Sequence, residues 1–117
     1  MAKIKTMNLD RIIEILKKNK EELKKRYGIK EIGIFGSFVR GENKEKSDLD
    51  ILVEFEENKD IDLLRFVNME YYLTEIVGIK VDLVEKSGLK PKIGKQILKE
   101  VIPIWTLLDL IGFTLMF

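Results

Sequence analysis

The fold of this 117-residue chain is predicted most directly by residues 31–55, EIGIFGSFVRGENKEKSDLDILVEF. Residues 31–35 are short, mostly apolar and rich in β-branched side chains, which predicts a β-strand that ends at Gly36-Ser37. Residues 38–47 form a polar connection, and we expect one helical turn at its start. Residues 48–55 are again largely apolar, so they predict a second strand.

Amphipathic stretches on both sides of this segment predict helices. Residues 8–27 carry an apolar stripe at helical spacing, and so do residues 60–77, for which Asp60 is the expected cap. Residues 79–85 predict a third strand, and residues 90–101 predict a third helix. The order α-β-β-α-β-α predicts an α/β (α+β) domain with a small β-sheet flanked by helices.

Length and composition limit the classes of function. A chain of 117 residues is close to the commonest domain size, so we expect one domain without a separate substrate-binding domain. Because the sequence has no Cys and no His, it excludes disulfides, zinc sites built on thiolates or imidazoles, a thiol nucleophile and a histidine base. Any metal ion must therefore be held by oxygen ligands.

The charge pattern argues against direct nucleic-acid binding. The 21 basic and 20 acidic residues leave a formal net charge of +1. The five lysines among residues 17–25 are interleaved with Glu14, Glu21 and Glu22, which is typical of the solvated face of a helix. Residues 1–7 are not followed by an apolar stretch long enough for a secretory signal, so the cytoplasm is the expected compartment.

The C-terminal segment, residues 104–117, has a different composition from the rest of the chain. Ten of its 14 residues are apolar, and Asp109 carries its only charge. A membrane span needs about 18 or more apolar residues, so we expect no membrane insertion. Two interpretations stay open: a terminal helix packed on the core, after Pro103 has stopped the preceding helix, or a face for self-association or a partner.

Asp48 and Asp50 open the second predicted strand. The alternation of side chains along a strand places both carboxylates on one face, roughly 7 Å apart at the backbone. Leu49 and Ile51 then face the core. Taken alone, an Asp-x-Asp pair at the start of a strand is most often a solvated edge or a cap.

Asp82 lies inside the third predicted strand and joins the same face if that strand neighbours the second. Three gathered carboxylates repel one another unless a cation lies among them, and such hard oxygen ligands favour Mg²⁺. Lys46 and Lys80 have the same strand parity and offer a purely structural source of positive charge. Two flexible lysines match three converging carboxylates less well than a divalent ion does.

Residues near the first predicted strand end are suited to hold a phosphate chain. Gly36 lets phosphates approach the backbone, and Ser37 offers a hydroxyl and an N–H. Arg40 is placed to reach the same phosphates, although a surface role suits it nearly as well. Two Mg²⁺ ions about 3.5 to 4 Å apart can steady the attacking and leaving oxygens of a nucleotidyl displacement without any histidine.

Together these residues resemble the minimal nucleotidyltransferase (MNT) family of the DNA polymerase β-like superfamily. That family's pattern is Gly-Ser, ten residues, then Asp-x-Asp, and it stands here as Gly36-Ser37, residues 38–47 and Asp48-Leu49-Asp50. The third carboxylate, Asp82, falls where the resemblance expects it. The resemblance covers about residues 9–103.

The resemblance implies a polymerase-β-like nucleotidyltransferase fold, with a small mixed sheet flanked by helices, and a set of roles. Asp48, Asp50 and Asp82 would be the catalytic carboxylates and would hold Mg²⁺, with two ions expected. Gly36 and Ser37 would bind the triphosphate of ATP, beside Arg40. Asp82 would also help to activate the acceptor hydroxyl.

The resemblance also implies a partner. Stand-alone members of this family are usually the antitoxin of a toxin–antitoxin pair whose toxin is an all-helical HEPN ribonuclease. We therefore expect an enzyme that transfers AMP from ATP to a tyrosine of that toxin and releases pyrophosphate. The domain would span residues 1–103, whereas the apolar residues 104–117 depart from the family's usual short polar ending and leave room for self-association.

Two alternatives remain. One is an antitoxin that blocks its toxin by contact alone and keeps a non-catalytic nucleotide pocket. The other is nucleotidyl transfer to an RNA end or a small molecule, which the near-neutral charge and the lack of a second domain disfavour.

Overall fold

A computed structural model describes residues 8–57 and 61–105 of the chain. These residues form five α-helices, four β-strands and a short 3₁₀ turn. In chain order they are α1 (Leu9–Lys18), α2 (Lys20–Tyr27), β1 (Ile29–Phe35), α3 (Ser37–Arg40), β2 (Leu49–Phe55), α4 (Leu63–Val77), β3 (Val81–Glu85), the turn Lys86–Gly88, α5 (Pro91–Glu100) and β4 (Ile102–Trp105).

The four strands form one mixed sheet in the order β3-β2-β1-β4. Strand β1 is antiparallel to both β2 and β4, whereas β2 and β3 are parallel. The predicted α+β fold with a small mixed sheet flanked by helices is therefore confirmed. Because β1 runs against β2 and β3, the end of β1 and the starts of the other two strands lie at the same edge of the sheet.

One face of the sheet carries most of the core. Leu49, Ile51 and Val53 of β2 are fully buried on this face, as the alternation in the sequence predicts. The core there is completed by apolar side chains of the neighbouring strands and of α1, α2 and α4. The opposite face, which includes Asp50 and Asp82, is covered in part by α5.

The single helix predicted over residues 8–27 is two helices in the structure, because the helix is interrupted at Asn19. The Asn19 side-chain amide donates a hydrogen bond of 2.8 Å to the carbonyl of Ile15 and so occupies a backbone acceptor at the end of α1. Local bonding of this kind competes with helix continuation. The apolar stripe nevertheless runs through both helices, with Ile12, Leu16 and Leu23 fully buried.

The second long helix begins later than the sequence predicts. Helix α4 starts at Leu63, and its cap is Asp62, whose side chain accepts a hydrogen bond of 2.8 Å from the N–H of Arg65. The expected cap, Asp60, lies outside the described residues. The predicted end is correct, since Gly78 follows the helix in a left-handed conformation.

Strand β4 was not predicted. Ile104 and Trp105 are only 4% and 1% exposed, and they end a strand rather than begin a helix. Pro103 is tolerated inside it because β4 is an edge strand of the sheet. The remainder of the apolar segment, residues 106–117, lies outside the described residues. In the part of the chain that the structure describes, no helix is both long and apolar enough to cross a membrane.

Candidate active site

The strand register brings the predicted acidic residues to one edge of the sheet. Phe35, the last residue of β1, pairs with Asp50 of β2, and Asp50 pairs with Asp82 of β3. Asp48 immediately precedes β2 and is exposed, as is Asp82. Because β3 is the direct neighbour of β2, the condition under which Asp82 joins the other two aspartates is met.

The carboxyl group of Asp50 is the most perturbed acid at this edge. Partial burial, followed by the negative charges of Asp82 and Asp48, raises the pKa of Asp50 to about 6. Arg40 opposes this rise, and Glu100 adds to it. Burial therefore contributes most to the raised pKa, and the carboxylates gathered around Asp50 contribute the rest.

Gly36 packs directly against Asp50. Its backbone has φ +86° and ψ −155°, a conformation that is essentially restricted to glycine. A Cβ placed on Gly36 would overlap the Oδ2 atom of Asp50 and would lie 2.9 Å from its Cγ. The turn therefore needs glycine for two reasons, its backbone conformation and the space that the Asp50 carboxylate occupies.

Ser37 begins the short helix α3, which is the helical turn expected after the first strand. It is partly buried, and its carbonyl accepts a hydrogen bond of 2.9 Å from the N–H of Glu42. The carbonyl of Gly36 accepts from the N–H groups of Val39 and Arg40 at 3.0 and 3.2 Å. These bonds fix the turn. Gly36 and Ser37 therefore lie next to the acidic edge, which is the end of the sheet that carries Asp48, Asp50 and Asp82.

Arg40 is held by two carboxylates. Its Nε donates to Glu42 at 2.9 Å, and its Nη1 donates to the two carboxylate oxygens of Glu100 at 3.0 and 3.1 Å. The hydrogen bonds to Glu42 and then Glu100 raise the pKa of Arg40 further above its usual value. The same Glu100 carboxylate accepts a hydrogen bond of 2.7 Å from the N–H of Gly36.

Glu100 was missed by sequence reasoning. It lies 60 residues from Arg40 and 64 from Gly36 along the chain, so no local motif connects the three. It is the last residue of α5, and only the packing of that helix beside the sheet edge brings it to the site. Glu100 also lies just before β4, a strand that was not predicted either. The start of β4 therefore helps to determine where Glu100 lies relative to Gly36.

A cleft of about 330 Å³ opens between the acidic edge and α5. Phe35, Gly36, Arg40 and Asp50 line one side of the cleft. Helix α5 provides the other side through Ile93, Gln96, Ile97 and Glu100. Its volume is at the lower end of the range typical of small-molecule sites, and it places an apolar wall opposite polar and charged groups.

A larger groove of about 740 Å³ lies between α2 and α4 and shares no lining residue with the cleft. Arg26 lies over the rings of Tyr27 and Tyr72 in this groove, with its Cζ atom 5.5 and 4.8 Å from their centroids. Size alone would favour this groove. Among its lining residues only Glu75 is acidic, whereas the smaller cleft is lined by two carboxylates, Asp50 and Glu100.

Strand β3, which carries Asp82, is fixed by two side chains of α4. The N–H of Val81 donates to Thr74 Oγ1 at 3.0 Å, and the N–H of Leu83 donates to Glu70 Oε2 at 2.9 Å. Strand β3 is an outer strand of the sheet, and these two N–H groups point away from β2. Backbone groups in that position otherwise lack partners. The sequence did not single out Thr74 or Glu70, since their role depends on how α4 packs.

The lysine explanation for the acidic cluster finds no support. Lys46 and Lys80 are exposed, and among residues 8–57 and 61–105 neither forms a salt bridge with Asp48, Asp50 or Asp82. In the same part of the chain, no three acidic side chains are gathered as a ready-made metal site. The oxygen donors and the excess negative charge at the edge nevertheless suit a hard divalent cation.

Comparison with known proteins gives a family and a set of relatives. Residues 16–104 match the model of the nucleotidyltransferase domain family. The protein adenylyltransferase MntA of Thermococcus cleftensis is 52% identical over 96 residues, which cover 82% of this chain and 95% of that protein.

Solved structures agree on the fold. The structure of a candidate minimal nucleotidyltransferase is 37% identical with a TM-score of 0.68, covering 83% of this chain and 96% of that one. A chain from the complex of a tri-AMPylated HEPN toxin of Shewanella oneidensis with an MNT antitoxin has a TM-score of 0.59 at 16% identity, over 86% of this chain and 84% of that one. At that low identity, the second likeness shows the fold alone.

Proposed function

Because this chain belongs to the nucleotidyltransferase domain family, we propose that it is a protein adenylyltransferase that acts as an antitoxin. Its substrate is ATP, and its acceptor is a tyrosine of a HEPN ribonuclease toxin. The observation that carries the proposal is the edge where the Gly36 turn packs on Asp50, with Asp82 paired alongside. This edge puts a backbone suited to phosphates next to carboxylates suited to a cation.

The proposal divides the edge into two parts. Gly36, Ser37 and Arg40 bind the triphosphate, because a backbone turn without a side chain admits phosphate oxygens and a guanidinium pairs with them. Asp48, Asp50 and Asp82 hold Mg²⁺, which when bound neutralises the charge of the phosphates and of the carboxylates themselves. The fit rests on the donor chemistry and on the negative charges of Asp82 and Asp48, which add to the effect of burial in raising the pKa of Asp50.

The reaction is a displacement at the α-phosphorus of ATP. The phenolic oxygen of the acceptor tyrosine forms a bond to this phosphorus, and the bond to the oxygen that bridges the α- and β-phosphorus atoms breaks. Pyrophosphate leaves, and the phenolic proton passes to a carboxylate oxygen of Asp82. Asp82 suits this step because its side chain is exposed, whereas Asp50 is partly buried.

The names of two similar proteins support a protein acceptor and a toxin partner. The 52% identical protein carries the name of a protein adenylyltransferase, and it is matched over 95% of its length. The complex from Shewanella oneidensis consists of a HEPN toxin that carries AMP groups and an MNT antitoxin. Both point to a protein acceptor rather than RNA or a small molecule.

The test is incubation of the protein with Mg²⁺, ATP labelled at the α-phosphate and a HEPN-type toxin, followed by mass spectrometry of the labelled protein. We expect AMP on a tyrosine of the toxin, and we expect chelation of Mg²⁺ with EDTA to abolish labelling. Asp48→Asn should also abolish labelling, whereas Asp10→Asn, which removes an exposed carboxylate from α1, should not.

Two results would contradict the proposal. Equal labelling by the wild type and by Asp48→Asn would show that the acidic edge is not the site of transfer. Neutralisation of the toxin by an Asp48→Asn, Asp82→Asn double variant, without any labelling, would favour an antitoxin that acts by contact alone.

A further inference from the structure

Glu100 is hydrogen-bonded to two of the groups that the proposed function assigns to the triphosphate. Any role inferred for Glu100 therefore rests on that assignment. Its Oε2 atom accepts from the N–H of Gly36 at 2.7 Å, and both of its carboxylate oxygens accept from Nη1 of Arg40. A backbone N–H and a guanidinium that converge on one anion are the donors that proteins use to bind phosphate. In this structure the anion is the protein's own side chain.

We propose that Glu100 is an internal mimic of a phosphate group, and that ATP must displace it in order to bind. The carboxylate presents two oxygens to the same donors that would otherwise meet phosphate oxygens. Glu100 is therefore a self-inhibitory residue: it keeps the nucleotide site closed and weakens the affinity for ATP.

The position of Glu100 allows the exchange. Its side chain is 23% exposed, so it can rotate into solvent without opening the core. It is the last residue of α5, next to the cleft rather than beneath the sheet. Arg40 keeps its second contact, with Glu42, whether or not Glu100 stays in place.

The charges at the edge act in the same direction. Glu100 adds to the negative field that raises the pKa of Asp50, so its charge also opposes the approach of a triphosphate. Moving Glu100 away removes one negative charge and frees two donors. The site thus exchanges a singly charged carboxylate for a more highly charged phosphate chain.

The experiment compares Glu100→Gln with Glu42→Gln, a matched control that removes the other carboxylate on Arg40 but leaves Gly36 untouched. Calorimetry measures the binding of MgATP and of Mg²⁺-tripolyphosphate in the absence of toxin. We expect Glu100→Gln to bind both about tenfold more tightly than the wild type, since a charged hydrogen-bond acceptor no longer competes. We expect Glu42→Gln to stay within about twofold of the wild type.

Unchanged or weaker binding by Glu100→Gln would overturn the inference and would make Glu100 a residue that positions Arg40. Nuclear magnetic resonance on the wild type provides a measurement that no folding defect can affect. On addition of MgATP, the carboxyl signal of Glu100 should move to that of a free glutamate, and the amide signal of Gly36 should shift. A Glu100 signal that stays in place while MgATP binds would equally overturn the inference.

The inference and the proposed function fail separately. If the wild type transfers AMP but Glu100→Gln binds MgATP no more tightly, only the inference is wrong. If Glu100→Gln binds MgATP more tightly but neither protein transfers AMP to a toxin, only the proposed function is wrong.

Discussion

The turns at Gly36 and Gly78 use the same residue type for different purposes. Both glycines have positive φ, +86° and +77°, and each lies between a helix and a strand. A Cβ on Gly78 would have nothing within 4 Å, whereas a Cβ on Gly36 would collide with Asp50. Gly78 thus serves only to end α4, while Gly36 also makes room for a carboxylate of the candidate site.

The largest expected effect comes from removing a carboxylate of the candidate site that Gly36 helps to form. Asp82→Asn should lower the rate of adenylyl transfer by about 1,000-fold, because loss of a carboxylate at a metal-assisted site costs several kcal/mol of transition-state stabilisation. Glu85→Gln, which removes an exposed carboxylate further along β3, should leave the rate within about threefold. Initial rates of label transfer measure both, and equal losses in the two variants would remove Asp82 from the site.

The next effect compares the two glycines directly. Gly36→Ala should lower the free energy of unfolding by about 2–4 kcal/mol, because a strained backbone adds to the displacement of Asp50. Gly78→Ala should cost only about 1 kcal/mol, since open space leaves the left-handed backbone as the sole penalty. Urea denaturation measures both values.

A double variant sharpens this result. In an Asp50→Ala background the two closest atoms, Oδ2 and Cγ, are gone and only the Cβ at 3.2 Å is left, so Gly36→Ala should cost about 1–3 kcal/mol, mostly the backbone penalty. Gly78→Ala should cost the same in both backgrounds. Identical costs for Gly36→Ala with and without Asp50 would show that the contact with Asp50 does not constrain the turn.

A smaller effect depends on pH. The pKa of Asp50 is raised from 3.8 to about 6 in the folded protein, so the ionised form is disfavoured there and stability falls as pH rises through this window. Asp50→Asn should therefore stabilise the protein by about 1–2 kcal/mol at pH 8, allowing for solvent screening of a partly exposed group. At pH 3.5, where Asp50 is mostly protonated in both states, most of the gain should be lost.

Denaturation of both proteins in EDTA at pH 3.5 and pH 8 checks this prediction. EDTA is needed because a bound cation would offset the repulsion that destabilises the wild type. A gain of equal size at both pH values would mean that the effect comes from packing rather than from charge.

The smallest expected effect concerns Thr74 of α4, the helix that Gly78 ends. Thr74→Val removes the acceptor for the N–H of Val81 and should lower the free energy of unfolding by about 0.5–1 kcal/mol. Adenylyl transfer should fall only modestly, because Leu83 is still held by Glu70. A loss of transfer as large as that of Asp82→Asn would show that this contact sets the position of Asp82.

Much of the fold follows from local patterns in the sequence. The alternation along β2 predicts that Leu49 and Ile51 are buried while Asp50 is not, and the structure agrees. The break at Asn19 could not be predicted, because an apolar stripe favours continuity and the competing bond to Ile15 depends on side-chain geometry. Strand β4 was missed because Pro103 suggests a stop, and pairing with β1 is a long-range contact.

The candidate site divides in the same way. The spacing of Gly36, Asp48 and Asp50 predicts an acidic edge beside a turn, because these residues are close in sequence. The contact between Gly36 and Asp50 and the bridge from Glu100 to Arg40 arise only after α5 has packed and the strands have paired. Sequence patterns therefore indicate the chemistry, while the contacts that tune it require the tertiary structure.

A crystal structure of the protein with Mg²⁺ and a non-hydrolysable ATP analogue would test the proposed site most directly. We expect the triphosphate against Gly36 and Ser37, Mg²⁺ at Asp48, Asp50 and Asp82, and Glu100 turned away from Gly36. A nucleotide bound instead in the larger groove between α2 and α4, with the acidic edge unchanged, would contradict it.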